Sequence, residues 1–586
     1  MTTLDWWVVG GYFAVLLGVG LLPSRKGSGS TEDFIVSGRR LPWWIAGTSL
    51  IAASFASDTP LLVSGLTRSL GVWGNWQWWG VGISTVLAVF LFAPMWRRTG
   101  VLTDVELTEL RYSGDGAAAL RGTKAVYWGL LFNCYTTGAF GLVGLVKVMG
   151  ATGGMDRGYA LWLCAGLGMA YAIVSGLWGL VLTDMFQFSV AIFGGIALAV
   201  YSVDSAGGLD ATLAAVPSDR LAIMPSGDHE LAYVLPFLLV QWWAWKNTDG
   251  SGVMVQRWVS CRNERHATGA TLWYAIVHYG LRCWPWIIVG LASVAVVADA
   301  ELPLVDGKPD AEAAYAVMIR KVLPAGLRGL IVAWFFAEFM GSIAQAMSWG
   351  GAILTNDVYR RFLAPKDGKG RDLLVARSAG VLVMFGAVAA AYMSTSITEA
   401  FKYVLQLTAA IGVVNMLRWL WWRINAWAEV TAMVMSPLFV FWLAEPCMKF
   451  LQVPTTGMSR MLTIIIGGTV PAIVVSLLTR PDGLNRLIPF YKRVRPPRAG
   501  WGPCAILCAE VASFVSVPRL LLQWTLGLAF VYGTLWGVGG LVLKQGDAAR
   551  WGGAAALAGG LGLLAMLRAR GPYESPSPGP AAPATR

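Results

Sequence analysis

Residues 54–60 read Ser54-Phe55-Ala56-Ser57-Asp58-Thr59-Pro60 and interrupt an otherwise apolar run that extends from residue 42 to residue 68. Proline has no backbone N–H and disfavours a helical conformation at the preceding residue, so Pro60 opposes a continuous helix through this segment. The carboxylate of Asp58 is costly at membrane depth unless it is paired or solvated. The segment therefore indicates a break within a membrane-spanning helix, and it makes Asp58 a candidate functional residue.

A second polar segment interrupts the apolar, tryptophan-rich run that covers residues 231–258. It reads Lys246-Asn247-Thr248-Asp249-Gly250-Ser251-Gly252. Lys246 and Asp249 either pair with each other or belong to a functional site, because charges within a bilayer need partners or water. An alternative interpretation places one or both polar segments in loops outside the membrane.

The rest of the chain is strongly apolar, since 56% of its 586 residues are hydrophobic and only 13% are charged. Apolar runs of about 20 residues are long enough to cross a bilayer as helices, and helices satisfy their backbone polar groups internally. An all-α integral membrane protein is predicted. Fifteen runs are candidate spans, approximately at residues 4–22, 42–68, 75–96, 121–150, 157–175, 178–203, 231–258, 267–298, 322–358, 374–396, 398–420, 425–445, 460–479, 519–543 and 551–568.

Basic residues cluster after the odd-numbered runs, for example at Arg97, Arg257 and Arg360, whereas the loops at 204–230 and 299–312 are acidic or nearly neutral. The positive-inside rule then predicts an outside amino terminus and a cytoplasmic carboxyl terminus. Moving either interrupted run out of the membrane would break this alternation.

The two interrupted runs are the second and the seventh, five apart. Such a spacing predicts two five-helix repeats of opposite orientation, and transporters bind their substrates where the corresponding helices of such repeats break. The predicted segments are an N-terminal helix and linker at 1–41, repeats at 42–203 and 231–420, accessory helices at 425–570 and a disordered cytoplasmic tail at 571–586.

A third polar feature lies within the run at 322–358. Residues Glu338, Gly341, Ser342, Gln345 and Ser348 share one face of a helix by their spacing. Small residues on such a face also allow helices to pack closely, which accounts for Gly341 and Ser342 as well as ion binding does. Glu338 is different, because a carboxylate there needs a cation, a proton or a basic partner.

Other classes of protein are poorly supported. The net charge of +12 is dispersed in loops between apolar runs, which argues against nucleic-acid binding, and the three histidines and seven cysteines form no recognisable metal motif. No nucleophile motif, metalloprotease motif or P-loop occurs, so neither an enzyme nor a cofactor is expected. A membrane sensor and a channel remain as alternatives, and no obligate protein partner is inferred.

Several ordered motifs occur between about residue 31 and residue 427. They are Thr31-Glu-Asp-Phe-Ile-Val-Ser-Gly-Arg-Arg-Leu-Pro-Trp-Trp44, Ser49-Leu-Ile-Ala-Ala-Ser54, Ser175-Gly-Leu-Trp-Gly-Leu-Val-Leu-Thr-Asp184-Met-Phe-Gln187, Val255-Gln-Arg257 and Thr355-Asn-Asp-Val-Tyr-Arg-Arg-Phe362. Together these motifs resemble the sodium:solute symporter family. The similarity is greatest to a bacterial branch with little-characterised substrates, which is marked by residues 56–60, 75–79 and 100–112 and by the tryptophans from Trp242 onwards, and it implies a bacterial cytoplasmic membrane.

The resemblance implies a five-plus-five inverted-repeat core of the LeuT type, with one added N-terminal helix and about four added C-terminal helices. It also implies a sodium site between the first break and the helix that carries Glu338. The residues that match the family's cation ligands are Ala52 and Phe55 through their carbonyls, Glu338, Gly341, Ser342 and Asp184. Gly341 has no hydroxyl where the family has one, and Glu338 either supplies the missing oxygen ligand or carries a coupling proton.

The resemblance further implies a substrate site beside the same breaks. The candidates are Ser57, Asp58, Thr59, Trp79, Asn133, Trp242, Trp243, Trp245 and Asp249. The tryptophans at 242–245 are equally explained by helix packing. The function expected from these features is alternating-access symport of a small organic solute with a cation, sodium ahead of a proton, across the lipid bilayer.

Overall fold

The computed structural model describes residues 1–21, 39–101, 105–175, 180–225, 227–245, 247–363 and 371–568. These residues are almost entirely helical, and the only strands among them are Leu304–Val305 and Lys308–Pro309, an antiparallel pair. The α-helices are Thr3–Leu21, Trp43–Ala53, Asp58–Leu70, Trp76–Trp79, Gly82–Phe90, Phe92–Thr99, Glu106–Arg111, Gly114–Val126, Asn133–Thr136, Val143–Gly153, Arg157–Ser175, Leu180–Ser205, Leu209–Ala214, Ser218–Leu221, Asp228–Pro236, Val253–Ser260, Glu264–Ala275, Trp284–Val296, Ala313–Val322, Leu327–Ile353, Asp372–Met393, Ile397–Leu420, Ala426–Leu438, Ala444–Phe450, Gly457–Leu478, Leu484–Val494, Gly502–Leu507, Val517–Val542 and Gly546–Arg568.

Shorter helical forms join some of these helices. The 3-10 turns are Val72–Asn75, Asp299–Glu301 and Arg498–Gly500, and the π-helical segments are Tyr127–Phe132, Thr137–Leu142, Phe237–Gln241, Ile276–Leu281, Leu354–Leu363 and Phe439–Leu443. Segments of π-helix are frequent at functional sites, because they displace side chains from the regular helical faces. Two of them lie in the helix Gly114–Gly153, which they leave continuous.

Among the described residues, nine helices are long and apolar enough to cross a membrane. A tenth span results if Trp43–Ala53 and Asp58–Leu70, which meet at an angle of 69°, are counted together. The break predicted at residues 54–60 is therefore present, and it covers residues 54–57, here called the first break. The other predicted spans correspond in position to helices outside this set, so the count of fifteen stays a prediction.

The predicted interruption in the run 231–258 is also observed. The chain leaves the helical conformation after Gln241 and resumes it at Val253. Residues 242–252 are here called the second break, of which Lys246 lies outside the described residues. Gly250 and Gly252 have φ angles of 85° and 92°, which side-chain-bearing residues rarely adopt, so these two glycines permit the irregular path.

The helix Leu327–Ile353 carries the polar face formed by residues 338, 341, 342, 345 and 348, here called the polar seam. The helix Thr3–Leu21 holds the amino-terminal end of this seam helix in place. Asp5 accepts hydrogen bonds from the backbone N–H groups of Gly326 and Gly329 and forms an ion pair with Arg328 at 2.7 Å. A carboxylate is favourable at a helix amino terminus because it satisfies unpaired N–H groups and complements the helix dipole. Asp5 therefore orients the seam relative to the amino-terminal helix.

Small residues bring two helices against the first break. A Cβ atom on Gly47 would lie 2.8 Å from the Ala270 carbonyl oxygen, and one on Gly290 would lie 2.7 Å from that of Ser64. The helices Glu264–Ala275 and Trp284–Val296 thus flank the two halves of the broken helix. The segment between them, which contains Arg282, faces the first break.

Candidate functional site

The two breaks and the polar seam meet at one cavity of about 470 Å³. Ala56 and Ser57 of the first break contribute to it, as do Asp58 directly after that break and Asn247 and Gly252 of the second break. Further lining comes from the helix Gly114–Gly153, from residues 255–257 and from the helix Leu327–Ile353: Phe132, Asn133, Thr136, Thr137, Phe140, Gly141, Val255, Gln256, Arg257, Phe339, Ser342, Ile343, Gln345, Ala346 and Trp349. Backbone that is not helical can lie at membrane depth where it lines such a cavity.

Four candidate residues from the sequence line this cavity: Ser57, Asp58, Asn133 and Ser342. Asn133 is buried, and its side-chain amide donates a hydrogen bond of 2.8 Å to the carbonyl oxygen of Ala346. This bond connects the π-containing helix to the seam helix. The same amide also donates to the Gly129 carbonyl and accepts from the Thr137 hydroxyl, both at 3.4 Å, so Asn133 joins the cavity wall through a network of hydrogen bonds.

Of the candidate cation residues, Ala52 and Phe55 lie at the first break, whereas Glu338, Gly341 and Ser342 lie on the helix Leu327–Ile353. The Ala52 carbonyl accepts a hydrogen bond of 3.0 Å from the Phe55 N–H, while Ser342 faces the cavity from the opposite helix. Gly341 has open space around it, since a Cβ atom there would meet nothing within 4 Å. Glu338 is half-buried on the same helix. The side chain of Asp184 lies outside the described residues.

A residue that the sequence did not single out contacts the first break directly. Arg282 is 4% exposed, and its two terminal nitrogens donate hydrogen bonds of 3.2 Å to the Ile51 carbonyl and 3.0 Å to the Ser54 carbonyl. The Ile51 carbonyl belongs to the last helical turn before the break, and the Ser54 carbonyl belongs to the first residue of the break. The clue available in the sequence was an arginine inside the apolar run 267–298, at a depth where a charge needs a specific partner.

Five of the expected substrate residues lie elsewhere. Within the described residues the cavity lining does not include Thr59, Trp79, Trp242, Trp243 or Trp245. Thr59 is buried in the first turn after the break, and the fully buried Trp79 packs against Trp76 and Trp284 at ring distances of 5.7 and 6.5 Å. These two side chains are part of the protein core.

The tryptophans of the second break also make packing contacts. The Trp242 ring lies 5.1 Å from that of Trp524, and the Trp245 ring lies 6.4 Å from that of Phe401. Trp243 donates its indole N–H to the Leu239 carbonyl at 2.7 Å. The aromatic walls of the cavity are instead Phe132, Phe140, Phe339 and Trp349. Trp349 follows Ser342 and Gln345 at helical spacing, so the seam pattern could have identified it.

Asp249 differs from the expectation as well, because it pairs away from the cavity. Its carboxylate is fully buried and accepts hydrogen bonds from Arg418 and from the indole N–H of Trp419, at 3.1 and 2.7 Å. The Ser251 hydroxyl donates to its other oxygen at 2.7 Å. Asp249 therefore anchors the second break to the helix Ile397–Leu420.

Helices of membrane-spanning length that break at a shared polar cavity define a multi-pass membrane transporter. The model of the sodium:solute symporter family matches residues 34–435. The chain is 25% identical over 516 residues to a sodium/glucose cotransporter of Vibrio parahaemolyticus, which covers 82% of this chain and 91% of that protein. It is 24% identical over 443 residues to sodium/glucose cotransporter 1 of Mus musculus, covering 68% of this chain and 65% of that protein.

A solved structure of a Na⁺-coupled sialic acid symporter has the same fold, with a TM-score of 0.59 at 17% identity over 82% of this chain and 99% of that chain. The predicted all-α inverted-repeat transporter fold is confirmed. The chain belongs to the sodium:solute symporter family. The function that this family membership gives is sodium-coupled symport of a solute.

Proposed function

We propose that the chain carries a small, neutral, hydroxyl-rich solute together with sodium, and that the solute binds in the cavity between the two breaks. The observation that carries this proposal is that both breaks and the seam helix line the same cavity. Its volume of about 470 Å³ lies within the range of small-molecule sites. The chain acts as a transporter, with no catalytic step.

The chemistry of the lining supports a sugar-like solute. Hydroxyls and amides, such as those of Ser57, Thr137, Asn133 and Gln345, both donate and accept hydrogen bonds, as the hydroxyls of a sugar do. Aromatic side chains such as Trp349 offer flat apolar faces that suit the C–H faces of a sugar ring. Asp58 opposes a negatively charged solute, and the sodium/glucose cotransporters among the relatives point the same way.

The coupling sodium is assigned to the first break. Its proposed ligands are the carbonyls of Ala52 and Phe55, the Ser342 hydroxyl and an oxygen of Glu338 in place of the hydroxyl that Gly341 lacks, with Asp184 nearby. Sodium is a hard cation that prefers oxygen ligands, which these groups supply. In the alternative proposal Glu338 takes up a proton, and the proton replaces sodium as the coupling ion.

Ion pairs near the two ends of the helix Gly114–Gly153 suggest how access alternates. Arg121 donates to Asp357 at 2.9 Å, and Lys147 pairs with Glu312 at 2.6 Å. These basic residues lie 26 positions apart, roughly 39 Å along a helix, and the cavity-lining residues of this helix lie between them. We expect each pair to open when the repeats at 42–203 and 231–420 move relative to each other.

The positive-inside rule places the Arg121 end on the cytoplasmic side of a bacterial cytoplasmic membrane, with the amino terminus outside. A smaller cavity of about 70 Å³ lies beside Arg121 and Asp357 and shares Asn247, Gly252 and Trp349 with the central cavity. We take it as the start of a path to the cytoplasm. Uptake into the cell is the direction that this arrangement favours.

The test starts with thermal unfolding of the purified protein in the presence of sugars, amino acids, nucleosides and organic acids, each in NaCl and in KCl. A ligand that binds the folded state raises its stability, and coupling makes this effect larger in sodium. We expect a sugar to stabilise the protein in NaCl, and proteoliposomes to accumulate that sugar when sodium is high outside. Stabilisation by organic acids alone would contradict the proposed solute class.

Two matched variants on the helix Leu327–Ile353 test whether the solute binds in the cavity. Gln345→Ala removes a lining amide, whereas Ser348→Ala changes an exposed position that is outside the lining. We expect only Gln345→Ala to weaken solute binding, by about ten-fold for lost hydrogen bonds. Ohmic current without accumulation would indicate a channel, and binding without uptake would indicate a sensor.

A further inference from the structure

The first break is closed by a positive charge that belongs to the protein itself. Arg282 lies directly after the π-helical segment Ile276–Leu281, and it donates to the Ile51 carbonyl at 3.2 Å and to the Ser54 carbonyl at 3.0 Å. A helix that ends inside a membrane exposes carbonyl oxygens that need donors or a cation. The guanidinium meets this need at two carbonyls at once.

The surroundings of Arg282 are those of a cation site. The guanidinium carbon lies 5.0 Å from the centre of the Phe55 ring and 5.6 Å from that of the Trp286 indole, within the range of cation–π attraction. A terminal nitrogen of the guanidinium also lies 3.4 Å from Nε2 of His278. Backbone carbonyls, aromatic faces and a histidine ring thus surround one buried cation.

The carbonyls held by Arg282 directly precede those proposed for sodium. Ile51 is followed by Ala52, and Ser54 is followed by Phe55. Two unit charges about 5 Å apart at an effective dielectric constant of about 20 repel enough to disfavour joint occupancy by on the order of 100-fold. Sodium and the guanidinium therefore exclude each other at this break.

We infer that Arg282 is a tethered cation that competes with sodium for the first break, occupying the break when sodium is absent and leaving its carbonyls when sodium binds. This inference rests on the proposed position of the sodium site. With Arg282 in the break, the ion-free transporter keeps hydrogen bonds to the carbonyls of its broken helix. The transporter can therefore change between its outward-facing and inward-facing states without a bound sodium ion. Gly341 lacks the hydroxyl that the family's sodium site has, and this loss weakens sodium in its competition with Arg282.

The test is a sodium titration of thermal unfolding in detergent, without solute, at constant ionic strength maintained with KCl. Arg282→Gln keeps a hydrogen-bond donor but removes the charge, so sodium loses its competitor. We expect the sodium concentration for half-maximal stabilisation to fall at least ten-fold. Arg282→Lys retains the charge and is expected to stay within about three-fold of the wild-type protein. A midpoint in Arg282→Gln that is unchanged or higher overturns the inference.

Arg111→Gln is the matched control. Arg111 is also fully buried and donates to backbone carbonyls at a helix end, those of Arg418, Trp421, Trp422 and Ile424, but it lies away from the first break. Its loss is expected to lower stability without changing the sodium midpoint. A shift equal to that of Arg282→Gln would show a general effect of removing a buried charge, and would overturn the inference.

If Arg282→Gln does not fold, amide hydrogen exchange of the peptide covering residues 50–60 tests the inference instead. In the wild-type protein this peptide should be equally protected in KCl and in NaCl at the same ionic strength, because Arg282 satisfies the carbonyls of the break when sodium is absent. Exchange in KCl that is at least ten-fold faster than in NaCl overturns the inference. Failure of sodium-driven uptake, with the sodium titrations as expected, would instead remove the proposed function and leave the competition intact.

Discussion

Arg418 and Asp249 form a buried ion pair between the second break and the helix Ile397–Leu420. The guanidinium donates to one carboxylate oxygen from Nε at 3.1 Å and also from a terminal nitrogen, and the two residues are 3% and 0% exposed. Breaking such a pair leaves an uncompensated buried charge. The pair therefore stabilises the second break in its irregular conformation.

Asp249→Asn is expected to lower the free energy of unfolding by about 3–5 kcal/mol, because it leaves the Arg418 charge without its main partner. Thermal unfolding of the purified variant measures the loss. Asp299→Asn is the control, since Asp299 pairs with Arg68 while its side chain is 73% exposed, and it should change stability little. If Asp249→Asn were as stable as the wild-type protein but no longer bound the solute, Asp249 would be a substrate-binding residue and not a structural one.

Gly341→Ser is expected to tighten sodium binding. The structure has room for the side chain, since a Cβ atom would meet nothing within 4 Å, and the serine restores the oxygen ligand that the family resemblance implies. One added ligand worth about 1 kcal/mol corresponds to a sodium midpoint lowered by about five-fold. The sodium titration measures it, and Gly341→Ala, which adds no oxygen, should leave the midpoint in place. A higher midpoint in Gly341→Ser would place sodium elsewhere.

Glu338→Gln and Glu338→Ala are expected to reduce sodium-driven accumulation of the solute by at least about ten-fold, because both variants lose a charged sodium ligand. Solute binding should persist, because the residues that line the cavity are unchanged. Uptake into proteoliposomes and thermal stabilisation by the solute measure the two properties. Wild-type uptake in sodium-free buffer that follows a pH gradient would show that Glu338 carries a proton instead.

Gly412→Ala should disturb the second break. A Cβ atom at this position would lie 2.6 Å from the Trp245 amide nitrogen, and backbone atoms cannot give way as a flexible side chain does. We expect a loss of about 2 kcal/mol or more in the free energy of unfolding. Gly166→Ala, at an exposed helix position with nothing within 4 Å, should be neutral or stabilising. Equal stabilities of the two variants would contradict the close approach.

From the ion pair between Glu312 and Lys147 we expect the protein to lose stability in acid. Burial raises the pKa of Glu312, but the Lys147 ammonium and the N–H groups of Thr398 and Ile397 lower it more, so that it lies below its ordinary value of 4.5. A carboxylate with a lowered folded-state pKa stabilises the protein above its unfolded-state pKa and loses this contribution as the pH falls through the folded-state pKa. Stability should therefore decrease as the pH drops below about 4.5.

Glu312→Gln should remove this part of the acid dependence and lower stability at neutral pH by about 2 kcal/mol, as expected for lost charge-assisted hydrogen bonds. Asp310 acts in the opposite sense, because burial raises its pKa despite the field of Lys147. Glu445→Gln, at an exposed pair with Arg460, serves as the control. Identical pH profiles of wild-type protein and Glu312→Gln would contradict the prediction.

The sequence was sufficient for the positions of both breaks, because proline chemistry and charges in apolar runs act locally. It also brought Ser57, Asp58, Asn133 and Ser342 into the candidate set, and these residues line the cavity. The tryptophans at 242–245 could not be placed, since the chain there is not helical and the helical period that assigns residues to faces does not apply.

The partners of the charged residues could not be predicted for a different reason. Asp249 finds Arg418 at a distance of 169 residues along the chain, and Ile51 finds Arg282 at 231 residues. The sequence contains 45 lysines and arginines, and nothing local in it selects one of them as the partner. Only the packing of helices, determined by close approaches such as that of Gly290 to Ser64, selects which of them meet.

The sequence alone determined that the first break lies in a membrane-spanning helix, because the transfer of about 20 residues into hydrocarbon depends on their own composition. The tertiary structure decided which positive charge closes that break. A guanidinium satisfies two carbonyls only where its geometry brings both within hydrogen-bonding distance, and for Arg282 the fold of distant helices creates that geometry.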